Sequence, residues 1–297
     1  MTEGTPSNLT GLRSLSSTRY FLDARGAFAW EAKPGVRISG LPHLRMLGFS
    51  GDSLRLPDGS LLLVAKSILG TGPGRLSCVA IRSEDGGFTW RFASVVAAAS
   101  EVPYAAEGPS EASLALLANG TLLAVMRVEG QSGHYAPYIS KLSDDGGRTW
   151  RALRSLRGGG SGGVPGAGCV RPRLLALEVG GARSLVLTGG RPNPLSRDQL
   201  LWLNPRGDAD EWEAYSLSYW HNRLLDNASH PQRYKQWAFP PAATNASRAF
   251  PREDTSYNSL VRTGDASGFV LYGCGPRAFA MRFEVVEEAG LVEVVDP

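Results

Sequence analysis

The chain has 297 residues and a formal net charge of +3, with no run of Lys and Arg along any stretch, so little supports a nucleic-acid-binding surface. Its 36 Gly and 19 Pro residues favour a fold with many tight turns, and its length suffices for one all-β domain with a substantial core. No segment is long and apolar enough to span a bilayer, and residues 1–17 lack the apolar core of a signal peptide, so we expect a soluble chain. The sequence leaves the cellular compartment open.

Residues 1–47 predict a polar lead that ends in a hairpin at residues 19–32. Within this hairpin, Asp23, Gly26 and Trp30 resemble, in degenerate form, a turn motif that recurs intact twice further along the chain. We therefore expect residues 1–47 to contain the remnant of a repeated unit whose earlier strands are absent.

Two full units follow, and each closes with nearly the same eight residues. The first has a Pro-Asp-Gly turn at residues 57–59 and closes with SEDGGFTW at residues 83–90. The second has an Asn-Gly turn at residues 119–120 and closes with SDDGGRTW at residues 143–150. Because each motif lies between two strand-like runs, it predicts a hairpin turn in which the Gly pair supplies positive φ and the Asp accepts from turn amides. The fixed positions of this structural motif are Ser83, Asp85, Gly87, Thr89, Trp90, Ser143, Asp145, Gly147, Thr149 and Trp150.

Two further units follow the Gly-rich linker at residues 157–168. The third runs to a similar turn that ends at Trp212, and the fourth begins near residue 255, after a polar loop at residues 219–254. Residues 48–297 therefore contain four units of short strands. Repetition of this kind predicts a β-propeller, an all-β fold of four-stranded sheets around an axis, and we expect residues 1–297 to form a single such domain.

The sequence predicts neither a metal site nor a cofactor. Cys78, Cys169 and Cys274 are scattered and lack metal-ligand spacing, so we interpret them as buried small hydrophobic residues rather than as ligands or a disulfide scaffold. The four His residues are dispersed along the chain. The Gly run at residues 158–163 lacks the preceding strand and the Lys of a phosphate-binding loop.

Four polar residues interrupt the apolar strand pattern, and these are Glu111, Arg127, Arg197 and Tyr257. Each lies at the beginning or end of a predicted inner strand, where propeller side chains reach the central axis, so we predict that they contribute to one site. The alternative interpretation is structural, because an arginine at a strand end is often solvated and a tyrosine at a strand start is often a packed aromatic residue. Arg191 is the alternative to Arg197.

The repeated motif resembles the Asp box, or BNR repeat, of a group of propellers that includes non-catalytic members, so it indicates a fold rather than a reaction. The segments SEAS, VMR, SRDQLLWLNPR and SYNSLV, in this order, resemble the last four blades of the sialidases, exo-α-neuraminidases built as six-bladed propellers. The resemblance implies that Tyr257 is the nucleophile and Glu111 its partner. It also implies that Arg127 and Arg197 belong to an arginine triad that binds the substrate carboxylate.

The implied substrate explains these residue types. A sialic acid carries a carboxylate on its anomeric carbon, and the planar guanidinium of arginine binds a carboxylate through two parallel hydrogen bonds. That negative charge would repel a carboxylate nucleophile, whereas a tyrosine is neutral until a base such as Glu111 takes its proton. The resemblance therefore predicts an exo-α-sialidase that releases terminal sialic acid from sialylated glycoconjugates without a cofactor. An enzyme for another acidic sugar fits the sequence equally well.

Two residues of the family pattern have no counterpart in the sequence. Sialidases have an arginine in an Arg-Ile-Pro segment of the first blade and, soon after it, an aspartate that acts as the acid/base. No Arg-Ile-Pro occurs here, and Asp52 and Asp58 lack the context of that aspartate. We expect the chain either to be the C-terminal part of a sialidase, incomplete at its N-terminus and weak or inactive as it stands, or to be a non-catalytic propeller that binds carbohydrate or another partner.

Overall fold

The structure of the chain is a computed structural model, and its described residues form an all-β fold, which confirms the predicted fold class. The described residues are 16–22, 28–34, 37–42, 44–51, 53–70, 74–129, 136–156, 169–191, 198–217, 220–221, 258–274, 277–286 and 292–293. They contain twenty β-strands and one short 3-10 turn, Ala99–Glu101. No helix within these ranges has the length and apolar character needed to cross a membrane.

In chain order, the strands are β1 (Ser16–Leu22), β2 (Phe28–Pro34), β3 (Arg37–Ser39), β4 (Leu44–Phe49), β5 (Leu54–Arg55), β6 (Leu61–Leu69), β7 (Ser77–Ser83), β8 (Thr89–Ala97), β9 (Gly108–Leu116), β10 (Leu122–Glu129), β11 (Ile139–Ser143), β12 (Arg154–Ser155), β13 (Cys169–Val179), β14 (Ala182–Arg191), β15 (Asp198–Asn204), β16 (Glu213–Ser216), β17 (Ser259–Arg262), β18 (Ser267–Cys274), β19 (Arg277–Val285) and β20 (Val292–Glu293). The first two form a hairpin at the position predicted from residues 19–32. The others form four sheets. Three sheets hold their strands in chain order, β9 to β12, β13 to β16 and β17 to β20, and the fourth has the order β3, β8, β7, β6, β4, with β5 also paired to β6.

The first sheet begins earlier in the chain than the repeat pattern predicts. Strand β4 starts at Leu44 and pairs with β6, and β3 pairs in parallel with β8 on the outer side of the sheet. Residues that the sequence assigned to a polar lead and a remnant therefore contribute two strands to this sheet. Parallel pairing joins distant segments, here Arg37 with Thr89, so no local sequence pattern predicts it.

The hydrophobic core is divided among the interfaces between consecutive sheets. Each interface has its own cluster of buried side chains, to which both neighbouring sheets contribute. Fully buried examples, one pair for each interface, are Leu62 and Met126, Leu123 and Trp202, and Leu177 and Phe283. Burial of one such side chain stabilises the fold by about 1.5–3 kcal/mol. Packing of this kind brings the innermost strands of consecutive sheets together, because β9 contacts β13 and β13 contacts β17. Strand β9 also contacts β6, which lies between β7 and β4 in the first sheet.

The antiparallel order gives the assembly of sheets two distinct ends. We call the end at which the innermost strands β9, β13 and β17 begin the entry end, and the opposite end the turn end. Because neighbouring strands run in opposite directions, the second strand of each of these sheets finishes at the entry end and the third begins there. The motifs at residues 83–90 and 143–150 lie at the turn end, between β7 and β8 and between β11 and β12.

Both motifs form nearly the same network of hydrogen bonds. In the second, Ser143 Oγ accepts from Gly147 N and donates to Asp145 Oδ1, each at 2.8 Å. Asp145 also accepts from the Thr149 amide at 2.9 Å and from the Thr149 hydroxyl at 2.6 Å. The first motif repeats these bonds among its own residues 83–89. The carboxylate therefore organises the turn, as its place in the sequence predicts.

The second motif also joins two sheets. Trp150 Nε1 donates to Ser94 Oγ on β8 at 2.9 Å, and Ser94 Oγ donates to Gly147 O at 2.6 Å. Gly147 has φ of +85°, and a Cβ at this position would lie 2.8 Å from Leu62 Cδ2. Both the backbone conformation and the available space therefore require glycine here.

The turn that ends at Trp212 reaches a similar shape with different residues. Trp212 Nε1 donates to Ala209 O at 3.1 Å, as Trp90 Nε1 does to Gly87 O at 3.1 Å. Asn204 Oδ1 accepts from Ala209 N at 3.0 Å. An asparagine side chain thus performs the task of the serine in the two intact motifs, and Ala209 adopts φ of +65° without being glycine.

The charge of Asp145 makes the stability of its turn depend on pH. Partial burial opposes ionisation, but the hydrogen bonds from Thr149, Ser143 and Arg148 outweigh it and lower the pKa of Asp145 from 3.8 to about 2. Since the pKa is lower in the folded state than in the unfolded state, the stabilising contribution is complete above the unfolded value. It is lost as the pH falls through the folded value.

We predict that Asp145→Asn lowers the free energy of unfolding at pH 7 by about 1 kcal/mol, a modest value because solvent screens this partly exposed turn. The difference from the wild type persists down to about pH 4 and disappears towards pH 2, which urea denaturation at several pH values measures. Asp210→Asn is the control, because the Asp210 carboxylate is exposed and lies 3.9 Å from Arg154 Nη1. An equal loss in both variants would contradict the assignment.

Candidate functional site

Glu111 and Arg127 form a buried ion pair near the entry end. Glu111 is the fourth residue of β9, and Arg127 is the sixth of the eight residues of the neighbouring strand β10. Arg127 Nη1 donates to Glu111 Oε2 at 2.8 Å, and the two side chains are 12% and 8% exposed. The structure thus brings together two of the four residues that interrupt the apolar pattern of the sequence.

A β-bulge lies at this pair. Met126 lies opposite Ala112 and Val128 lies opposite Pro109, so the single residue Arg127 on β10 faces two residues, Ser110 and Glu111, on β9. Residues directly opposite each other in an antiparallel pair share a face, and Arg127 faces Glu111 here, so both charged side chains can lie on one face. The additional residue of β9 changes the alternation of side chains beyond this point. Nothing in the spacing of apolar residues predicts the bulge.

Strand β13, on the neighbouring sheet, contributes two arginines that the sequence analysis missed. Arg173 is 6% exposed, and the next residue, Leu174, donates its amide to Ser113 Oγ on β9 at 3.0 Å. A Cβ on Gly51 would lie 2.6 Å from Ala112 O and 3.9 Å from Arg173 Nη1, so this arginine approaches the region of β9 that carries Glu111. The other arginine, Arg171, extends towards the last sheet. The available sequence signal was two arginines in a run that otherwise reads as an apolar inner strand.

Asn258 connects β13 and β15 with the beginning of the last sheet. Arg171 Nη2 donates to the backbone oxygen of Asn258 at 3.4 Å, and Asn258 Nδ2 donates to Gln199 Oε1 at 2.6 Å. Asn258 is 2% exposed and Gln199 is fully buried. Strands β13 and β15 of one sheet therefore both bind Asn258, which directly precedes β17, the innermost strand of the next sheet.

The other three candidates, Arg191, Arg197 and Tyr257, are located only by the strands that they end or precede in the sequence. Arg191 is the last residue of β14, which finishes at the entry end, but its side chain lies outside the description. Arg197 and Tyr257 lie outside the described residues. In the sequence, Arg197 directly precedes β15 and Tyr257 directly precedes Asn258. Both strands that follow them, β15 and β17, begin at the entry end.

No cluster of three or more His, Cys, Asp or Glu side chains with the geometry of a metal site occurs in the described part of the chain. Cys78, on β7, is fully buried, and its Sγ donates to Ser110 O at 3.2 Å. Burial raises the pKa of this thiol, so it remains protonated and unreactive. Cys78 therefore packs as a small hydrophobic residue, as the sequence predicts, whereas the side chains of Cys169 and Cys274 lie outside the description.

The chain is similar to known proteins in structure. No protein-family model matches the chain, and a search of curated proteins by sequence gives no match. A Hadza microbial sialidase shares 18% identity and a TM-score of 0.53 over 80% of this chain and 37% of that one. The sialidase of Trypanosoma rangeli, solved in complex with sialic acid, shares 15% identity and a TM-score of 0.53 over 91% and 37% of the two chains. The leech intramolecular trans-sialidase shares 15% identity and a TM-score of 0.55 over 90% and 36%.

These likenesses show the fold. The chain has the sialidase-type β-propeller fold, which confirms the architecture predicted from the repeated units. It spans just over a third of the length of the three sialidase structures.

We predict that Arg127→Met lowers the free energy of unfolding by about 3–5 kcal/mol, because it leaves the buried carboxylate of Glu111 without its guanidinium partner. The double variant Arg127→Met with Glu111→Gln recovers part of this loss, since no buried charge then remains from the pair. Chemical denaturation measures both.

Arg183→Met is the matched control. Arg183 Nη2 lies 2.7 Å from Glu178 Oε1, but both side chains are about one-third exposed, so we expect a loss below about 1 kcal/mol. If both substitutions lowered the free energy of unfolding equally, water would have to stabilise the unpaired Glu111 carboxylate as well as it does the exposed Glu178 carboxylate. That result would contradict the prediction.

Proposed function

We propose that the chain is a sialidase-type glycoside hydrolase, an exo-α-sialidase that releases terminal sialic acid from sialylated glycoconjugates through Tyr257, with impaired activity in this chain. The observation that carries the proposal is the buried Glu111–Arg127 pair at the entry end of a propeller with the sialidase fold. A carboxylate and a guanidinium held there provide a base and a group that binds carboxylates. Fold alone would not justify a reaction.

Arg127 and Arg197, or Arg191 in place of Arg197, bind the substrate carboxylate in this mechanism. A guanidinium has five N–H donors in a planar arrangement, so Arg127 can bind Glu111 and a second carboxylate at the same time. The bond from Arg127 to Glu111 also fixes the position of the base. Because Glu111 balances the charge of Arg127, the second arginine gives the proposed site its net positive charge, which favours an acidic sugar over a neutral one.

Glu111 takes the phenolic proton of Tyr257, and the tyrosine oxygen attacks the anomeric carbon as the bond to the departing glycoside oxygen breaks. Water then attacks the same carbon and loses a proton to solvent, while Glu111 returns its proton to the departing tyrosine oxygen, which releases the sugar and restores both residues. No residue of the chain is assigned as the acid that protonates the leaving group. Loss of such an acid costs a factor of about a hundred to ten thousand, which a leaving group stable as an anion partly conceals.

The second candidate function is binding of an acidic sugar without catalysis. The observation that favours it is again the 2.8 Å bond between Arg127 and Glu111, because it occupies the Glu111 oxygen Oε2 with a guanidinium rather than with a phenol. The retained tyrosine favours catalysis, since binding alone requires no activated phenol.

We predict that the purified chain hydrolyses an aryl α-sialoside and that Tyr257→Phe lowers kcat/KM at least a hundredfold, because the variant lacks the nucleophile. Tyr215→Phe is the control: the Tyr215 hydroxyl bonds to Glu213 Oε2 on β16, and its removal changes turnover less than twofold. Unchanged turnover in Tyr257→Phe would exclude the tyrosine mechanism.

Binding of a non-hydrolysable sialoside separates the two functions. If the wild type binds it without turnover of the aryl sialoside, and Arg127→Ala abolishes binding while Arg183→Ala does not, the chain is a binding module. Equal binding of neutral and acidic sugars would contradict both functions.

A further inference from the structure

Strand β13 begins with an unusual backbone conformation. Val170 has φ of +57°, in the left-handed region that β-branched residues rarely adopt, and its side chain is fully buried. The register with β14 shifts at the same place: Cys169 lies opposite Gly190 and Arg173 opposite Thr188, so three residues of β13 face only one of β14. Such strain costs free energy and persists only where surrounding contacts impose it.

Tyr138 imposes this conformation. Its hydroxyl, at the start of the neighbouring sheet's third strand, donates to Val170 O at 2.9 Å and accepts from Gly190 N at 3.3 Å. It therefore lies between β13 and β14 and satisfies the backbone groups that the irregular pairing separates. Gly189 has room for this hydroxyl only because it lacks a Cβ. The side chain of Tyr138 is fully buried, so the arrangement is rigid.

The bulge at Val170 is followed at once by Arg171, whose Nη2 donates to the backbone oxygen of Asn258. Gln199 holds the side-chain amide of the same residue at 2.6 Å. Asn258 is thus fixed at its backbone from β13 and at its side chain from β15, and it is the residue bonded to Tyr257 in the chain.

We propose that Arg171 is a positioning residue for Tyr257. The strained bulge at Val170, held by the Tyr138 hydroxyl, directs Arg171 to the carbonyl of Asn258, and this bond together with Gln199 fixes Asn258, to which Tyr257 is bonded in the chain. The inference rests on the proposed function for the chemical role of Tyr257. A nucleophile displaced by about 1 Å can lose a factor of about a hundred in rate, so a rigid attachment of its backbone has a direct chemical purpose.

The test that does not depend on turnover uses the full chain with 3-fluorotyrosine at position 257 and records its ¹⁹F resonance. Arg171→Ala shifts and broadens the resonance, because Asn258, the neighbour of Tyr257 in the chain, loses its hydrogen bond from Arg171 and keeps the one to Gln199. Arg171→Lys returns it towards the wild-type position, since an ammonium can still donate one hydrogen bond to a carbonyl. Arg183→Ala, which removes an arginine of similar length at the turn end, leaves it unchanged.

Tyr138→Phe tests the other part of the inference and remains informative if Arg171→Ala does not fold. It alters the resonance in the same sense as Arg171→Ala, and the double variant adds little, because both act on one attachment. Tyr215→Phe is its control. An unchanged resonance in a folded Arg171→Ala or Tyr138→Phe variant would overturn the proposal, whatever the activity of the chain.

Kinetics with the aryl sialoside distinguishes this inference from the proposed function. Arg171→Ala lowers kcat about 10- to 100-fold and changes KM less than about threefold, as expected for a residue that positions the nucleophile rather than the substrate. A raised KM with unchanged kcat would overturn it, because Arg171 would then bind substrate. If the wild type has no turnover, the proposed function fails while the ¹⁹F result still decides the role of Arg171.

Discussion

The ion pair between Glu111 and Arg127 imposes the strictest requirement on the surrounding structure. Removing two charges from water costs several kcal/mol for each ion, and close geometry offsets this only while both groups stay in place. The antiparallel pairing of β9 with β10, at the bulge in β9, provides the geometry. The apolar interfaces on both sides of this sheet hold β9 and β10 so that the geometry is retained. A well-packed apolar pair would avoid the cost altogether, so stability does not explain these charges.

The two ends of the sheets have different tasks. At the turn end, short side chains such as Ser143 and Asp145 satisfy backbone groups locally, and Trp150 ties one sheet to the next through Ser94. At the entry end, polar side chains extend between sheets, as Arg171 does to Asn258. Local hydrogen-bond networks therefore stabilise the turns of the sheets at the turn end. At the entry end, contacts between sheets hold polar side chains in place.

How far the sequence predicts this structure depends on how local each feature is. The turns at residues 83–90 and 143–150 follow from their own spacing, and Glu111 and Arg127 are detectable because a charge interrupts an apolar run. The bulges at Glu111 and before Arg171 arise from pairing between strands, which the sequence of a single strand does not show. Arg171 also lies shortly after the Gly-rich linker, so the sequence does not show where its strand begins. Arg197 and Tyr257 remain predictions from the sequence.

The parallel pairing of β3 with β8 bears on self-association. An outer strand presents backbone N–H and C=O groups to any other strand, so a long outer strand is a template for intermolecular sheet formation. In the other three sheets the outer strands β12, β16 and β20 are only two to four residues long. Strand β8 has nine residues, and β3 pairs with Thr89, Trp90 and Arg91 at one end of it. Residues 37–39 thus shorten the long outer edge that β8 presents and reduce the chance that two copies of the chain aggregate along it.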